Sequence, residues 1–157
     1  MIDKVVRVID CHIARETDEG LRYLVLKRSD SVVCPNHWQC VTGKIIKNET
    51  PYNSAIREVK EETGLDAIRM WTVDTVNFFY EHTSNQLNIV PVFGIIVDTH
   101  DVRLSHEHTE YRWCSIDAAL DMLIWTKQSE GLREFDSMLR KKTEKNDFLE
   151  IDLDNES

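Results

Sequence analysis

The chain has 157 residues, which is the length of one ordinary domain, and 41% of them are hydrophobic. That fraction supports a packed core and argues against a wholly disordered chain. With 28 acidic and 19 basic residues, the formal net charge at pH 7 is -9. An acidic chain lacks the excess of Lys and Arg that a nucleic-acid-binding surface needs, so we expect no nucleic acid partner.

The sequence carries no sign of export or of a membrane anchor. The N-terminus lacks a basic segment followed by an apolar stretch, and no apolar run approaches the roughly 20 residues of a membrane span. None of the four cysteines stands in a CxxC pair, which argues against a zinc knuckle. We therefore expect a soluble cytoplasmic protein without a membrane partner and with reduced thiols at Cys11, Cys34, Cys40 and Cys114.

The first part of the chain predicts strands and loops. Apolar, β-branched residues predict strands at 5–13 and 21–26, joined as a hairpin by a polar turn. The polar stretch 27–37 predicts a loop. Residues 38–46 predict an extended segment with a break at Thr42 and Gly43.

A well-delimited helix is predicted at residues 51–63. Thr50 can accept a hydrogen bond from the first free backbone N–H groups, and Pro51 suits the first helical position. Gly64 can end the helix in the left-handed conformation. Both ends of this helix are therefore marked in the sequence.

Strands and then helices follow. Apolar runs predict strands at 67–76, 77–81, 88–97 and 111–114, with an irregularity at Pro91, and helices at 116–124 and 129–141. Together the elements predict a single α/β (α+β) domain over residues 1–142, a sandwich around a mixed β-sheet. Residues 143–157 are mostly acidic and polar, so we expect a frayed, disordered tail in which Phe148, Leu149 and Ile151 can dock.

Three glutamates on the central helix carry the strongest chemical signal. At about 100° per residue, Glu58, Glu61 and Glu62 share one face, beside an apolar stripe that we expect to face the core. Carboxylates at this spacing repel one another, and a divalent cation bound between them removes the repulsion. The alternative is a solvated acidic helix face, which a bare ExxEE cluster would favour. The stripe consists of Tyr52, Ala55, Ile56, Val59 and Thr63.

The complete pattern around these glutamates argues against that alternative. Residues 43–65 read G-x5-E-x7-R-E-U-x-E-E-x-G-U, where U is a bulky aliphatic residue. At ordinary residue frequencies a chance match is expected on the order of once in a million chains or fewer. The pattern is the Nudix box with every constrained position filled, and the chain therefore resembles the Nudix hydrolase superfamily.

That resemblance implies a fold, a reaction and roles for the residues of the box. Members of the superfamily carry the box as a loop–helix–loop on an α/β/α sandwich, and with Mg²⁺ they hydrolyse a diphosphate linkage in nucleotide-like substrates; Mn²⁺ is the expected substitute. Arg57 would orient a glutamate, and Glu49 would brace the loop or assist the metal shell. The implied metal ligands are the carbonyl of Gly43 and the carboxylates of Glu58, Glu61 and Glu62. The implied catalytic set in the box is Arg57, Glu58 and Glu61.

A narrower resemblance lies outside the box. Residues 38–43 read W-Q-C-V-T-G, residues 107–113 read E-H-T-E-Y-R-W, and a basic pair stands at Lys27 and Arg28. These segments are similar to bacterial dihydroneopterin triphosphate pyrophosphatases, also known as dATP pyrophosphohydrolases. The similarity implies hydrolysis of a nucleoside or pterin triphosphate with release of pyrophosphate.

The second of these segments supplies a further carboxylate. Glu107 can act as a catalytic general base or as a metal ligand, and the alternative is a solvated loop charge. A base from outside the box would be useful because a bound cation depresses the pKa of the carboxylates that ligate it. We interpret His82 and His108 as surface or packing residues.

Four residues upstream are candidates for substrate binding. Arg28 can bind a phosphate, or it can be a charge at a strand end. Trp38 can stack on a base, or it can pack at the edge of the core. Gln39 and Thr42 join this set through the W-Q-x-V-T-G similarity.

Two alternative functions remain open. The first keeps the chemistry and changes the substrate to a dinucleoside polyphosphate, a sugar nucleotide or a damaged nucleotide. The second is a non-catalytic Nudix-fold domain that binds a nucleotide, but such domains usually lose carboxylates of the box and none is missing here. We expect a monomer or homodimer whose partner is a small molecule.

Overall fold

The computed structural model describes residues 1–155, and within them nine strands form one mixed β-sheet. The strands are β1 Asp3–Val5, β2 Val8–Thr17, β3 Gly20–Arg28, β4 Trp38–Gln39, β5 Val41–Lys44, β6 Arg69–Glu81, β7 Gln86–Ile96, β8 His108–Cys114 and β9 Glu150–Ile151. Six of them follow the order β4-β3-β2-β7-β6-β9. The others pair alongside: β1 with β7, β5 with β2, and β8 with β3.

Strand β2 organises the sheet because it pairs with three neighbours. Its second half forms the expected antiparallel hairpin with β3, and its centre lies parallel to β7. Its first half pairs antiparallel with β5, which sets Ile9 opposite Gly43. The start of the box is therefore held against the middle of the sheet.

Helices cover both faces of the sheet: α1 Pro51–Thr63, α2 Ile116–Met122, α3 Thr126–Arg140 and α4 Glu144–Leu149. On one face, Ala55 and Val59 of α1 pack into a buried apolar cluster with the sheet. On the other face, Leu132 and Phe135 of α3 pack with Tyr23. The α/β/α sandwich with a mixed sheet is therefore confirmed. None of the helices within residues 1–155 is long and apolar enough to cross a bilayer.

Helix α1 begins and ends where the sequence indicates. The Thr50 side chain accepts a hydrogen bond from the Asn53 N–H at 3.3 Å, and Pro51 occupies the first turn. Gly64 ends the helix at φ +75°, a left-handed conformation that favours glycine. The expected apolar stripe faces the core: Ala55, Val59 and Thr63 are buried, and Tyr52 and Ile56 are half-buried.

Several strand boundaries differ from the expectation, including those of β2, which extends to Thr17, and of β8, which begins at His108. Residues 69–81 form one strand rather than two, with an irregularity between Thr72 and Val76. Val76 is paired with Pro91, which has no N–H to donate to a ladder, so the pairing adjusts at this point. The break expected at Thr42 and Gly43 is wrong, because both residues pair with β2 and the interruption falls at Cys40.

The C-terminal segment is more ordered than the frayed tail that its composition indicates. After α4, strand β9 pairs with β6 at Met70 and Trp71. The guanidinium of Arg69 donates to both carboxylate oxygens of Glu150 at 2.9 and 2.7 Å. Leu153–Asn155 then forms a short 3-10 helix, and the last two residues of the expected tail, 156–157, lie outside the described residues. Long-range pairing, which composition does not report, fixes this segment.

Candidate active site

Gly43 and Glu58 are in direct contact at the start of the box. A Cβ built on Gly43 would lie 2.2 Å from Cδ and 2.5 Å from Oε2 of Glu58. The Glu58 carboxyl group therefore occupies the space that any other side chain at position 43 would need. Glycine here lets α1 bring its carboxylate against the backbone of β5.

Arg57 ties the loop before α1 to the carboxylates on the helix. Its Nε and Nη2 donate to the two carboxylate oxygens of Glu49 at 2.8 and 3.0 Å, a bidentate pair. Its Nη1 donates to Glu58 at 2.8 Å and to Glu61 at 3.2 Å. Nη2 also donates to the carbonyl oxygen of Lys44 at 2.8 Å. One guanidinium thus fixes the loop, the strand end and the Glu58 carboxylate together.

The three box carboxylates differ strongly in exposure. The Glu61 side chain is 58% exposed and the Glu58 side chain 13%. Glu62 is buried at 2% exposure, and its Oε2 has no hydrogen-bond partner among residues 1–155. A buried carboxylate oxygen without a donor is costly, and a ligand from outside the chain could supply the missing partner.

The pKa values of these groups follow their surroundings. Burial, together with the nearby charges of Glu58 and Glu107 and against the opposing charge of Arg28, raises the pKa of Glu62 to about 9. Burial also raises the pKa of Glu58, against the opposing hydrogen bond from Arg57. The hydrogen bond from Arg57 lowers the pKa of Glu49. Glu58 and Glu62 therefore hold a proton more tightly than an ordinary glutamate does, and Glu49 in the loop holds one less tightly.

Glu107 and His108 lie close to the buried carboxylate of Glu62. One potential ligand atom from each of the three residues lies within 4.8 Å of the other two. His108 is 4% exposed, and burial lowers its pKa to about 4, which keeps the imidazole neutral. Its Nε2 lies 3.2 Å from Nε2 of Gln39, and its Nδ1 has no partner in the described part of the chain.

These donors fit a divalent cation. The group is rich in oxygen ligands. It contains the carboxylates of Glu58 and Glu62, whose pKa values are raised, and the carboxylate of Glu107. One buried oxygen of Glu62 is unpartnered within residues 1–155. Oxygen ligands of this kind suit Mg²⁺ and Mn²⁺. A bound cation would remove both the mutual repulsion of the carboxylates and the cost of the unpaired oxygen.

The predicted substrate-binding residues divide between two places. Arg28 is paired with His108 across β3 and β8, and its charge lowers the pKa of both Glu62 and His108. Its Nε donates to the Val33 carbonyl at 2.6 Å. Gln39 is buried beside His108. The structure thus brings Arg28 and Gln39 to the carboxylate group.

Trp38 and Thr42 have other neighbours. Trp38 is half-buried against the core cluster that includes the α3 residues, and the guanidinium carbon of Arg112 lies 5.1 Å from the centre of its ring. Thr42 is half-buried, and its side chain is hydrogen-bonded to buried Asp10. Both residues therefore have structural contacts, Trp38 with the core and Thr42 with β2.

Two buried residues, His108 and Asp10, have surroundings that the sequence did not predict. His108 was interpreted as a surface or packing residue, but as the first residue of β8 it lies beside Glu62 and Glu107; in the sequence, only its place directly after Glu107 pointed to the site. Asp10 is 2% exposed inside an apolar strand and accepts a hydrogen bond from Asn77 Nδ2 at 2.8 Å. Burial raises the pKa of Asp10 to about 6.

The chain is similar to known proteins in both sequence and structure. The NUDIX domain model matches residues 6–135. Asymmetrical bis(5'-nucleosyl)-tetraphosphatase from Caenorhabditis elegans is 26% identical over 137 residues, which cover 86% of this chain and 97% of the relative. Dihydroneopterin triphosphate diphosphatase from Escherichia coli K12 is 27% identical over 148 residues, which cover 86% of this chain and 97% of that protein.

Solved structures agree on the fold. A Listeria monocytogenes structure described as a NUDIX hydrolase is 26% identical, with a TM-score of 0.72 over 85% of this chain and 93% of its own. The E. coli dihydroneopterin triphosphate pyrophosphohydrolase is 24% identical, with a TM-score of 0.70 over 86% of this chain and 97% of its own. The family model covers most of the chain, and the complete box lies at the carboxylate group. The chain therefore belongs to the NUDIX domain family and is a Nudix hydrolase, an enzyme that acts on diphosphate linkages of nucleotides.

Proposed function

We propose that this enzyme hydrolyses a nucleoside or pterin triphosphate in the presence of a divalent cation and releases pyrophosphate. The observation that carries the proposal is the proximity of Glu58 and Glu107 to buried Glu62. Among residues 1–155, the Oε2 atom of Glu62 has no hydrogen-bond partner. The similarity to dihydroneopterin triphosphate diphosphatases supports the choice of substrate, as does the W-Q-x-V-T-G segment.

The carboxylates would hold the cation from two sides. Glu58 and Glu62 approach from α1, and Glu107 approaches from the loop before β8. Gly43 lies beside Glu58, so its carbonyl oxygen is a further candidate ligand. When bound, a divalent cation neutralises phosphate charge and lowers the pKa of a coordinated water.

The remaining residues position the groups and handle the proton. Arg57 keeps Glu58 turned towards Gly43 through its hydrogen bond of 2.8 Å. Glu61 is the most exposed of the box carboxylates and lies outside the group formed with His108. We therefore assign it the role of the general base that accepts a proton from the attacking water. Arg28, beside the carboxylates, would bind a phosphate oxygen of the substrate and offset its charge.

A second substrate class has its own support. The asymmetrical bis(5'-nucleosyl)-tetraphosphatase of C. elegans covers as much of this chain as the E. coli pterin enzyme does. Its name describes a dinucleoside tetraphosphate substrate. Such a substrate would bring a chain of four phosphates instead of three to the same carboxylates and place a second nucleoside beyond them.

One panel of substrates tests the proposal. Purified enzyme is given dihydroneopterin triphosphate, dATP or diadenosine tetraphosphate with Mg²⁺ or Mn²⁺, and pyrophosphate, phosphate and nucleotides are measured. We expect pyrophosphate from the triphosphates, no turnover in excess chelator, and recovery when the cation is restored. Preferred cleavage of the tetraphosphate would favour the second class, and full activity in chelator would contradict the role of the cation.

A further inference from the structure

The group formed by Glu62, Glu107 and His108 contains an imidazole as well as two carboxylates. His108 is 4% exposed, and its Nδ1 lacks a hydrogen-bond partner within residues 1–155. Glu62 is 2% exposed, and its Oε2 is likewise unpartnered there. Two buried residues on different elements thus each have a polar atom without a partner, and one potential ligand atom from each of them lies within 4.8 Å of a carboxylate oxygen of Glu107.

The backbone holds His108 in this position. Ser29 N–H donates to the carbonyl oxygen of Glu107 at 2.8 Å, and His108 N–H donates to the carbonyl oxygen of Ser105 at 3.3 Å. His108 is also paired with Arg28 across β3 and β8, where the register shifts. The loop and the first residue of β8 are therefore fixed from both sides.

The spacing of the three groups suits shared coordination. In an octahedral site with bonds of about 2.1 Å, adjacent ligand atoms lie about 3 Å apart and opposite ones about 4.2 Å apart. The ligand atoms of Glu62, Glu107 and His108 all lie within 4.8 Å of one another. Side-chain adjustments of less than an ångström, on the order of ordinary rotamer motion, would bring them to those distances.

We propose that His108 Nδ1 is a metal ligand together with Glu62 and Glu107, so that this site prefers a first-row transition-metal cation such as Mn²⁺ to Mg²⁺. Mg²⁺ favours oxygen ligands, whereas an imidazole nitrogen binds transition metals more strongly. This inference rests on the proposed function and specifies the cation at the same carboxylates.

Gln39 supplies the orientation that such a ligand needs. Coordination through Nδ1 places the imidazole proton on Nε2, which must then donate to an acceptor. The Gln39 amide lies 3.2 Å from Nε2, and a half-turn of the amide exchanges its nitrogen for its oxygen at that position. Gln39 is 3% exposed, so this contact is sheltered from water.

The test reads the coordination directly. Substrate-free wild-type protein is loaded with one equivalent of Mn²⁺ and examined by electron spin echo envelope modulation for nitrogen bound to the metal. We expect a ¹⁴N coupling in the wild type and in His106→Gln, whose exposed histidine is the matched control, and none in His108→Gln. By titration, His108→Gln should weaken Mn²⁺ binding about tenfold or more and change Mg²⁺ binding much less.

Absence of a ¹⁴N coupling in the wild type overturns the inference without any variant, so a misfolded His108→Gln would not decide the matter. Equal losses of Mn²⁺ and Mg²⁺ affinity in a folded His108→Gln would also overturn the preference. The substrate panel reports separately, because hydrolysis through an all-oxygen site would leave the proposed function standing and this inference refuted.

Discussion

Alanine at position 43 tests whether the close contact between β5 and α1 sets the catalytic geometry. The φ of Gly43 is not in the left-handed region, so alanine should cost little in backbone conformation. Its methyl group would meet Cδ of Glu58 at 2.2 Å, whereas ordinary contact begins at 3.4 Å. The Glu58 carboxylate must therefore retreat by about 1.2 Å. A displacement of about 1 Å at a reacting centre costs roughly 10²-fold in rate, which is the loss of kcat we expect.

The assay is steady-state kcat at saturating cation and substrate, with thermal unfolding followed by circular dichroism. Gly131→Ala is the matched control, because its methyl group would meet Nε2 of His12 at 2.9 Å on the other face of the sheet. We expect that control to lose stability and keep its kcat. Glu58→Gln should cost less in the Gly43→Ala background than in the wild type, because both changes act through one carboxylate. A Gly43→Ala enzyme with kcat within about twofold of wild type would refute the reasoning.

Three further predictions follow from the same geometry. Arg57→Lys should lower kcat about 10- to 100-fold with an unchanged circular dichroism spectrum, because lysine cannot form the bidentate pair with Glu49; an unchanged kcat would make Arg57 a surface charge. Glu61→Gln should lower kcat about 10²- to 10⁴-fold and keep its cation affinity, whereas Glu107→Gln should lose cation affinity as well. If kinetics and cation titration show the reverse, Glu107 is the general base and Glu61 is the metal ligand. Burial raises the pKa of Asp10 from 3.8 to about 6, so the native state binds this proton more tightly than the unfolded chain, and stability should fall as pH rises through that window. Asp10→Asn should remove up to about 3 kcal/mol of this pH-dependent fall in the free energy of unfolding, measured by urea unfolding at several pH values. The same pH dependence in the wild type and in Asp10→Asn would contradict the prediction.

The sequence predicted best what is encoded locally. Thr50, Pro51 and Gly64 delimit α1 within a few residues of chain, and the box glutamates are placed by helical period alone. The buried setting of His108 depends on β8 returning to β3, which no local pattern reports. Asp10 stands in an apolar run and finds Asn77 across 67 residues of sequence, so its burial as a hydrogen-bonded pair could not be predicted from its neighbours.

The pairing of β9 with β6 covers part of an edge of the sheet that could otherwise pair with another chain. Within residues 1–155, β9 covers the outer side of β6 only at Met70 and Trp71, and no strand lies on that side of residues 76–81. Exposed side chains of that open edge include Phe78 and Tyr80, and an uncovered strand of this kind invites pairing with another chain. A chain shortened before α4 would keep every carboxylate of the box and uncover still more of this edge, so the damage would be seen first as aggregation in light scattering and only later in catalysis.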